Sequence, residues 1–421
     1  MNAKGFFSNR NFLALWSGQT VSMFGSQVTL IALPLVAAWY LDANPLQMSV
    51  IGAMGYVPSL LMGLVVGVWV EKANLKLVLV LSDLARAMAL AAVPITFLMH
   101  DLHFVVLYLV SFLVGLGTIF SDVAAMSYIP TVVSEATLVR ANSRLETSNS
   151  LASLFGQALG GTLVEAVGAP FSIIVDAISF LFSAVAMFFV RAVRRAVPTP
   201  SNSGESMWRS VKTGLVLVLR NPILRAILVS GTLFNMFTIM MEPVFLLYVA
   251  RTLHLSAIWI GIIFSFSGVG ALIGSLIAER FSKAYGSGYA LAFSLVVAGL
   301  VSLLVPLSVI LPRFAAIIAL IVMQLVDSSM LIAFNINQKT LRTLITPSEM
   351  LSRMNGTIRF FIYGVVPIGE LLGGVLGNLL GILPTLIIGA IGLIASSGVL
   401  LSSPILGVRD PTESRAREGS E

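Results

Sequence analysis

The chain has 421 residues, 57% of them apolar and only 10% charged, where an ordinary soluble protein is about one-quarter charged. Its 25 basic and 19 acidic side chains are too few to cover soluble domains of this total length, so most of the surface faces lipid. With no cysteine there is no disulfide, thiolate metal site, iron–sulfur cluster or thiol nucleophile.

Apolar runs bounded by charge, Pro or Gly predict twelve spanning helices. In the first half they lie near 12–41, 47–70, 76–98, 103–126, 145–168 and 170–190. The second half places them near 223–250, 257–279, 286–311, 314–336, 356–381 and 383–406. The first run follows Lys4 and Arg10 like a signal peptide, but it is too long for one and reads as a retained helix. His100, Asp101 and His103 fall in the polar break after the third run and read as loop residues, so no metal site is expected. The longest connection, 191–220, carries Arg191, Arg194, Arg195, Pro198, Pro200 and a Ser/Asn/Gly stretch. It reads as a cytoplasmic linker with a short interfacial helix from Trp208 to Leu219. The expected organisation is therefore a six-helix bundle at 1–190, the linker at 191–220, a second six-helix bundle at 221–408 and a cytoplasmic tail at 409–421.

Orientation follows from the basic residues. With both termini inside, 22 of the 25 Lys and Arg fall on cytoplasmic segments, Arg251 and Arg313 fall outside, and Arg86 lies within the third span. That asymmetry is a positive-inside signal. It also spreads the net charge of +6 over many loops, which favours anionic lipid over nucleic acid as the partner. No Walker-type phosphate loop and no Gly-x-Ser-x-Gly elbow occurs, so neither ATP hydrolysis nor serine hydrolysis is expected.

The two halves repeat. Arg10-Asn11 answers Arg220-Asn221, Pro34 answers Pro243, Glu71-Lys72 answers Glu279-Arg280, and Arg140-Ala141-Asn142 answers Arg353-Met354-Asn355. Gly156-Gln157-Ala158-Leu159-Gly160-Gly161 answers Gly369-Glu370-Leu371-Leu372-Gly373-Gly374. Matches in one register at equivalent places point to an internal duplication, and a 6+6 duplication is a secondary-transporter architecture.

The segment Gly67-Val68-Trp69-Val70-Glu71-Lys72-Ala73-Asn74-Leu75-Lys76 resembles the loop between helices two and three of the major facilitator superfamily, Gly-x-x-x-Asp-Arg-x-Gly-Arg-Arg, with Glu71 and Lys72 replacing Asp and Arg. Asn11 to Gln19, Asp83-Leu84-Ala85-Arg86-Ala87, Asp122-Val123-Ala124, Arg140 to Glu146 and Asp176-Ala177-Ile178-Ser179-Phe180 resemble its macrolide-efflux-type drug:proton antiporters. Gln157 stands where the antiporter Gly-Pro-x-x-Gly-Gly signature has Pro. The resemblance implies an all-α membrane protein, with twelve transmembrane helices in two pseudo-symmetric six-helix bundles. It also implies a monomeric exporter in the bacterial inner membrane that moves hydrophobic or amphipathic compounds such as macrolides against protons. Such a protein uses no cofactor beyond the proton gradient. The rival on the same fold is a dedicated exporter of one endogenous metabolite, siderophore-like, or a lipid transporter. A membrane enzyme would need convergent polar groups that are lacking here.

Charges within spans are costly and need partners, neutral states or water. One group, Glu71, Lys72, Asp83, Arg86, Asp122, Glu279, Arg280 and Asp327, reads as cytoplasmic. By resemblance it latches the inner helix ends in one state and releases them in the other; the alternative is a static ion-pair knot. A second group, Asp176, Glu242 and Glu370, lies deeper with no Lys or Arg expected at that depth. Glu370 first and Glu242 second are the candidate proton carriers, and Asp176 reads as structural. The alternative for the two Glu is a permanently protonated, hydrogen-bonded carboxyl. Gln19, Phe24, Gln27, Phe120, Phe234, Asn235, Met240 and Gln324 are the candidate cavity lining, because aromatic and Met side chains repack around varied apolar ligands while amides orient them. Glycines spaced four apart, Gly63/Gly67, Gly156/Gly160 and Gly270/Gly274, are expected to allow close helix approach.

Overall fold

Asparagine opens four of the helices. The side chains of Asn9, Asn44, Asn74 and Asn221 each accept a backbone N–H in the first turn that would otherwise have no partner. At Asn44 the cap is reciprocal, with Gln47 accepting from the Asn44 N–H at 2.9 Å. Gly168, Gly286 and Gly381, at φ of 85°, 89° and 94°, each turn the chain from one helix into the next within a single residue. Gly168 and Gly381 are separated by the same offset as the repeated glycine stripes.

The computed structural model describes residues 9–191 and 207–407. Its first six long helices are α1 (Arg10–Tyr40), α2 (Pro45–Lys72), α3 (Leu75–Leu98), α4 (Phe104–Val132), α5 (Glu135–Val167) and α6 (Ala169–Phe189). A surface helix follows, α7 (Met207–Arg220). Next come α8 (Pro222–Leu247), which continues as a π-helical turn at Tyr248–Thr252, then α9 (Ala257–Tyr285), α10 (Ser287–Ser302) and α11 (Arg313–Ile345). The last span but one is broken into α12 (Leu351–Gly364) and α13 (Val366–Leu380), and α14 (Ile382–Leu401) closes the series. Among the described residues there is no strand, twelve segments are of spanning length, and ten of these are long and apolar enough to cross a membrane. The fifth, α5, has 33 residues but carries Arg140, Arg144 and Glu146 in its first half.

Helices outrun the apolar segments at several ends. The fourth span, expected to stop at 126, reaches Val132; the fifth begins at Glu135, not 145; the tenth reaches Ile345, not 336. Apolarity marks the part in lipid, whereas Arg, Lys, Glu and Thr continue a helix readily once outside it. The eleventh span breaks at Val365 because Pro367 supplies no N–H and its ring crowds the carbonyl four residues back. Residues 192–206 of the expected linker and the tail 409–421 lie outside the described residues, as do the surroundings of Gly63 and the side chains of Glu71 and Lys72.

The described residues fall into two compact units, divided as Met1–Ser201 with His254–Ser265, and Asn202–Leu253 with Phe266–Glu421. In the first, α1 packs on α5 and α6, and α3 on α4 and α6. A core of Phe12, Leu15, Val70, Leu79, Tyr128 and Leu145 fills one end. Glu165 accepts a hydrogen bond from the Ala257 N–H at 3.1 Å, capping the start of α9. In the second unit, α8 packs on α13 and α14, and α10 on α11 and α14.

The repeat is visible inside each unit. In the first, Gly156 and Gly160 lay α5 on Gln27 and Val28 of α1; in the second, Gly369 and Gly373 lay α13 on Met236 and Met240 of α8. Gly270 and Gly274 do the same for α9 against the Leu325 and Ser329 carbonyls of α11, and Ser329 Oγ also donates to the Gly270 carbonyl at 2.9 Å. Gly67 is a correction, since a methyl placed there meets nothing within 4 Å among the described residues.

Candidate functional site

Glu370 is 3% exposed, and its Oε2 has no hydrogen-bond partner among the described residues. It sits on α13 between Gly369 and Gly373, the two residues that bring this helix against α8. A Cβ at Gly369 would stand 2.8 Å from the Met236 carbonyl oxygen, so the backbones are in direct contact there. Two residues beyond Met240 on that same helix comes Glu242, the ionisable group that acts electrostatically on Glu370. Glu242 is exposed although residues 243–250 after it are all buried. The structure thus brings the two predicted proton carriers together: one carboxyl reachable from outside the protein matrix, one enclosed, and the two repelling each other when both are charged. A proton on either relieves that repulsion.

The other predicted group is redistributed. Asp83 and Arg86, expected near one end of their span, occupy the central turns of α3 and are 3% and 7% exposed. Arg86 Nη2 donates to Asp83 Oδ1, and the guanidinium lies 4.0 Å over the Phe180 ring of α6. Gly117 of α4 makes room for this side chain, since a Cβ there would stand 2.6 Å from Arg86 Cγ. Ser183 lies within hydrogen-bonding reach of Asp83, while Asp122 and Asp176 both feel the Arg86 charge. The expectation that Asp176 has no basic group at its depth is therefore corrected. Periodicity places Arg86 on the same helix face as Asp83, but only the packing of Gly117 and Phe180 reveals how deep that face is buried. Asp176, 1% exposed, accepts from Thr29 Oγ1 at 2.5 Å and from Ser179 Oγ at 3.0 Å, tying α6 to α1.

Removing one partner of a buried ion pair leaves the other uncompensated, which costs about 3–5 kcal/mol. Arg86→Ala is accordingly expected to lower the thermal midpoint of the purified protein by several degrees, and Arg86→Lys by clearly less; unfolding followed in detergent checks this.

Glu279 and Arg280 are exposed at the far end of α9, and Glu279 pairs with Lys283 at 2.6 Å, one turn on. Asp327 lies near the middle of α11 and not at a cytoplasmic end. Among the lining candidates, Phe234 and Met240 are core, each 2% exposed. Asn235 Nδ2 donates to the Ile362 carbonyl at 2.7 Å, just before the break between α12 and α13. Gln27 is packed under Gly156, and its Oε1 has no partner among the described residues. Gln19, Phe24 and Phe120 in the first unit and Gln324 in the second remain half-buried. Sequence reasoning missed Thr29, Gly117, Phe180 and Ser183, whose types are commonplace in spanning helices; only their contacts single them out.

A family model described as Major Facilitator Superfamily matches residues 15–369. The multidrug efflux pump Tap of Mycolicibacterium fortuitum is 29% identical over 222 residues, 51% of this chain and 53% of that protein. Macrolide efflux protein A of Streptococcus pyogenes is 22% identical over 226 residues, 53% of this chain and 55% of that protein. The chain thus spans about half the length of these curated relatives. A crystal structure of a bacterial homologue of the iron transporter ferroportin, in the inward-facing state, superposes with a TM-score of 0.76 at 16% identity, covering 93% of this chain and 98% of that one. At that identity the likeness is one of fold.

Proposed function

Since the chain belongs to the major facilitator superfamily, and is a multi-pass membrane transporter rather than an enzyme, we propose that it exports hydrophobic or amphipathic small molecules in exchange for protons. The observation that carries this reading is the Glu242 and Glu370 pair, on two helices in backbone contact, with no hydrogen-bond partner for Glu370 Oε2 among the described residues. A carboxyl held in an apolar helix interface is expensive to keep charged, so loading and unloading a proton there changes the energy of the surrounding packing. That energy difference is what links proton movement to a change of conformation.

In this proposal Glu242 receives the proton or a cationic substrate group, and Glu370 carries the proton through the transport cycle. In the first unit Gln19, Phe24 and Phe120, and in the second unit Gln324, are the half-buried aromatic and amide side chains a varied substrate would meet. The efflux relatives, at 29% and 22% identity, support drug-like cargo. The site lies in the bacterial inner membrane with both termini in the cytoplasm, as the basic residues distribute, and the monomer is the working unit. Proteoliposomes with an imposed proton gradient and a panel of dyes, macrolides and tetracyclines test the reading. Gradient-dependent movement of at least one compound supports it, and none with any compound refutes it.

A further inference from the structure

The second unit holds a buried cation that the Glu242 and Glu370 site does not use. Arg342 lies in the last turn of α11, beyond the apolar stretch, and is 9% exposed. Its Nη1 donates to Gln338 Oε1 at 3.2 Å, while its Nε has no hydrogen-bond partner among the described residues. The charge that acts on it is not a carboxylate but Arg359 of α12, a second cation. Arg359 is exposed, with its guanidinium 5.8 Å from the Tyr363 ring centroid. Neither arginine forms an ion pair among the described residues. One turn before Arg359, on the same face of α12, a methyl added at Gly356 would meet nothing within 4 Å among the described residues, so there is room beside Arg359. Arg86 of the first unit is the contrast: it is similarly buried, at 7% exposed, but is paired with Asp83.

A guanidinium stays protonated in proteins, so Arg342 cannot escape its burial by becoming neutral. Enclosing it beside a like charge, with no opposite charge in contact, is costly. The amides around it do not offset that cost, because they carry no charge. Gln338 accepts one N–H from Arg342 and passes its own Nε2 donor to Asn335 Oδ1 at 3.3 Å, further along the same face of α11. We propose that Arg342 and Arg359 form a binding site for a phosphate group, which accepts hydrogen bonds from both guanidiniums and neutralises both. The planar fork of a guanidinium matches a pair of phosphate oxygens. A phosphate monoester carries a charge of about −1.5 to −2 near pH 7, close to one negative charge for each arginine. Under the orientation proposed above, the site lies at the cytoplasmic end of the unit, where both small phosphorylated compounds and anionic lipid headgroups are within reach. The binding itself does not depend on that orientation or on the export reading.

Thermal unfolding of the purified full-length protein in detergent tests this. Inorganic phosphate is compared with chloride at equal ionic strength, and short-chain phosphatidic acid with short-chain phosphatidylcholine. A ligand that binds the folded protein alone raises the unfolding midpoint in a saturable way. A rise with inorganic phosphate shows that the free anion suffices, and a rise with phosphatidic acid alone assigns the site to a lipid headgroup; either supports the proposal. In Arg359→Gln the apparent affinity should fall about tenfold or more. The ligand-free midpoint of that variant should rise, because a like charge has been removed from beside Arg342; a fall would contradict the proposal. Arg342→Gln should lose the response, and should it fail to fold, Arg359→Gln decides. Arg313→Gln, at the exposed arginine that opens α11 at its opposite end, should keep the full response. No midpoint change beyond that given by chloride and phosphatidylcholine, or an equal response in Arg359→Gln, overturns the proposal.

Discussion

Glu370→Gln is expected to abolish proton-driven accumulation while sparing exchange of substrate for substrate. In the proposed exchange, proton and substrate are two ligands coupled through one conformational equilibrium, and such coupling is typically worth about 1–3 kcal/mol, or about 5–150-fold in affinity. Gln keeps the size of Glu370 and its place between Gly369 and Gly373, but takes up no proton. Substrate affinity in the variant should therefore become nearly independent of pH, whereas in the parent protein it should change by about tenfold or more between proton-loaded and proton-free conditions. Glu242→Gln should give a weaker version of the same result, since it also removes the charge that repels Glu370. Equilibrium binding of a transported dye across a pH series reads both effects. Retention of full pH dependence in Glu370→Gln would assign the proton to another group.

Gly373→Ala is expected to damage the same site by geometry alone. The added methyl would run into the Met240 carbonyl, a backbone atom with no rotamer to retreat into. Overpacking of this kind costs about 1–3 kcal/mol, and relieving it moves α13 away from α8, separating Glu370 from Glu242. Both the unfolding temperature and the coupling measured above should fall. Gly398→Ala, at a glycine on α14 where an added methyl meets nothing within 4 Å, should leave both unchanged. If the two variants behaved alike, close approach of α8 and α13 would not be what the site depends on.

Much of this architecture is readable from residue patterns. Apolar runs near twenty residues long must be helical in lipid, because no water is present to satisfy a bare backbone, and so the number and order of spans follow directly. The offset pairing of Gly156 and Gly160 with Gly369 and Gly373 identifies the helices that pack closely in each unit, and it brings Gln157 and Glu370 into equivalent positions. Depth is less legible. Hydropathy treats Arg86 as a blemish in the third span, and says nothing of the space that Gly117 leaves for it or of Phe180 beneath it. Asp327 reads as peripheral for the same reason: a charge is assigned to the nearest helix end unless the partners that permit it inside are known. The cavity lining is the hardest to read, since Phe, Met and amide side chains serve core and binding surface alike. Phe234 and Met240 are core, and Asn235 is a tie to the Ile362 carbonyl.

The most direct test of the central claim is proton movement elicited by substrate. Protein reconstituted into vesicles with a pH-sensitive dye in the lumen, and no imposed proton gradient, is given an outwardly or inwardly directed gradient of a macrolide or a hydrophobic dye. Exchange requires protons to move opposite to the compound, and the movement to vanish in Glu370→Gln. Compound flux of normal rate with no accompanying change in luminal pH would contradict the account.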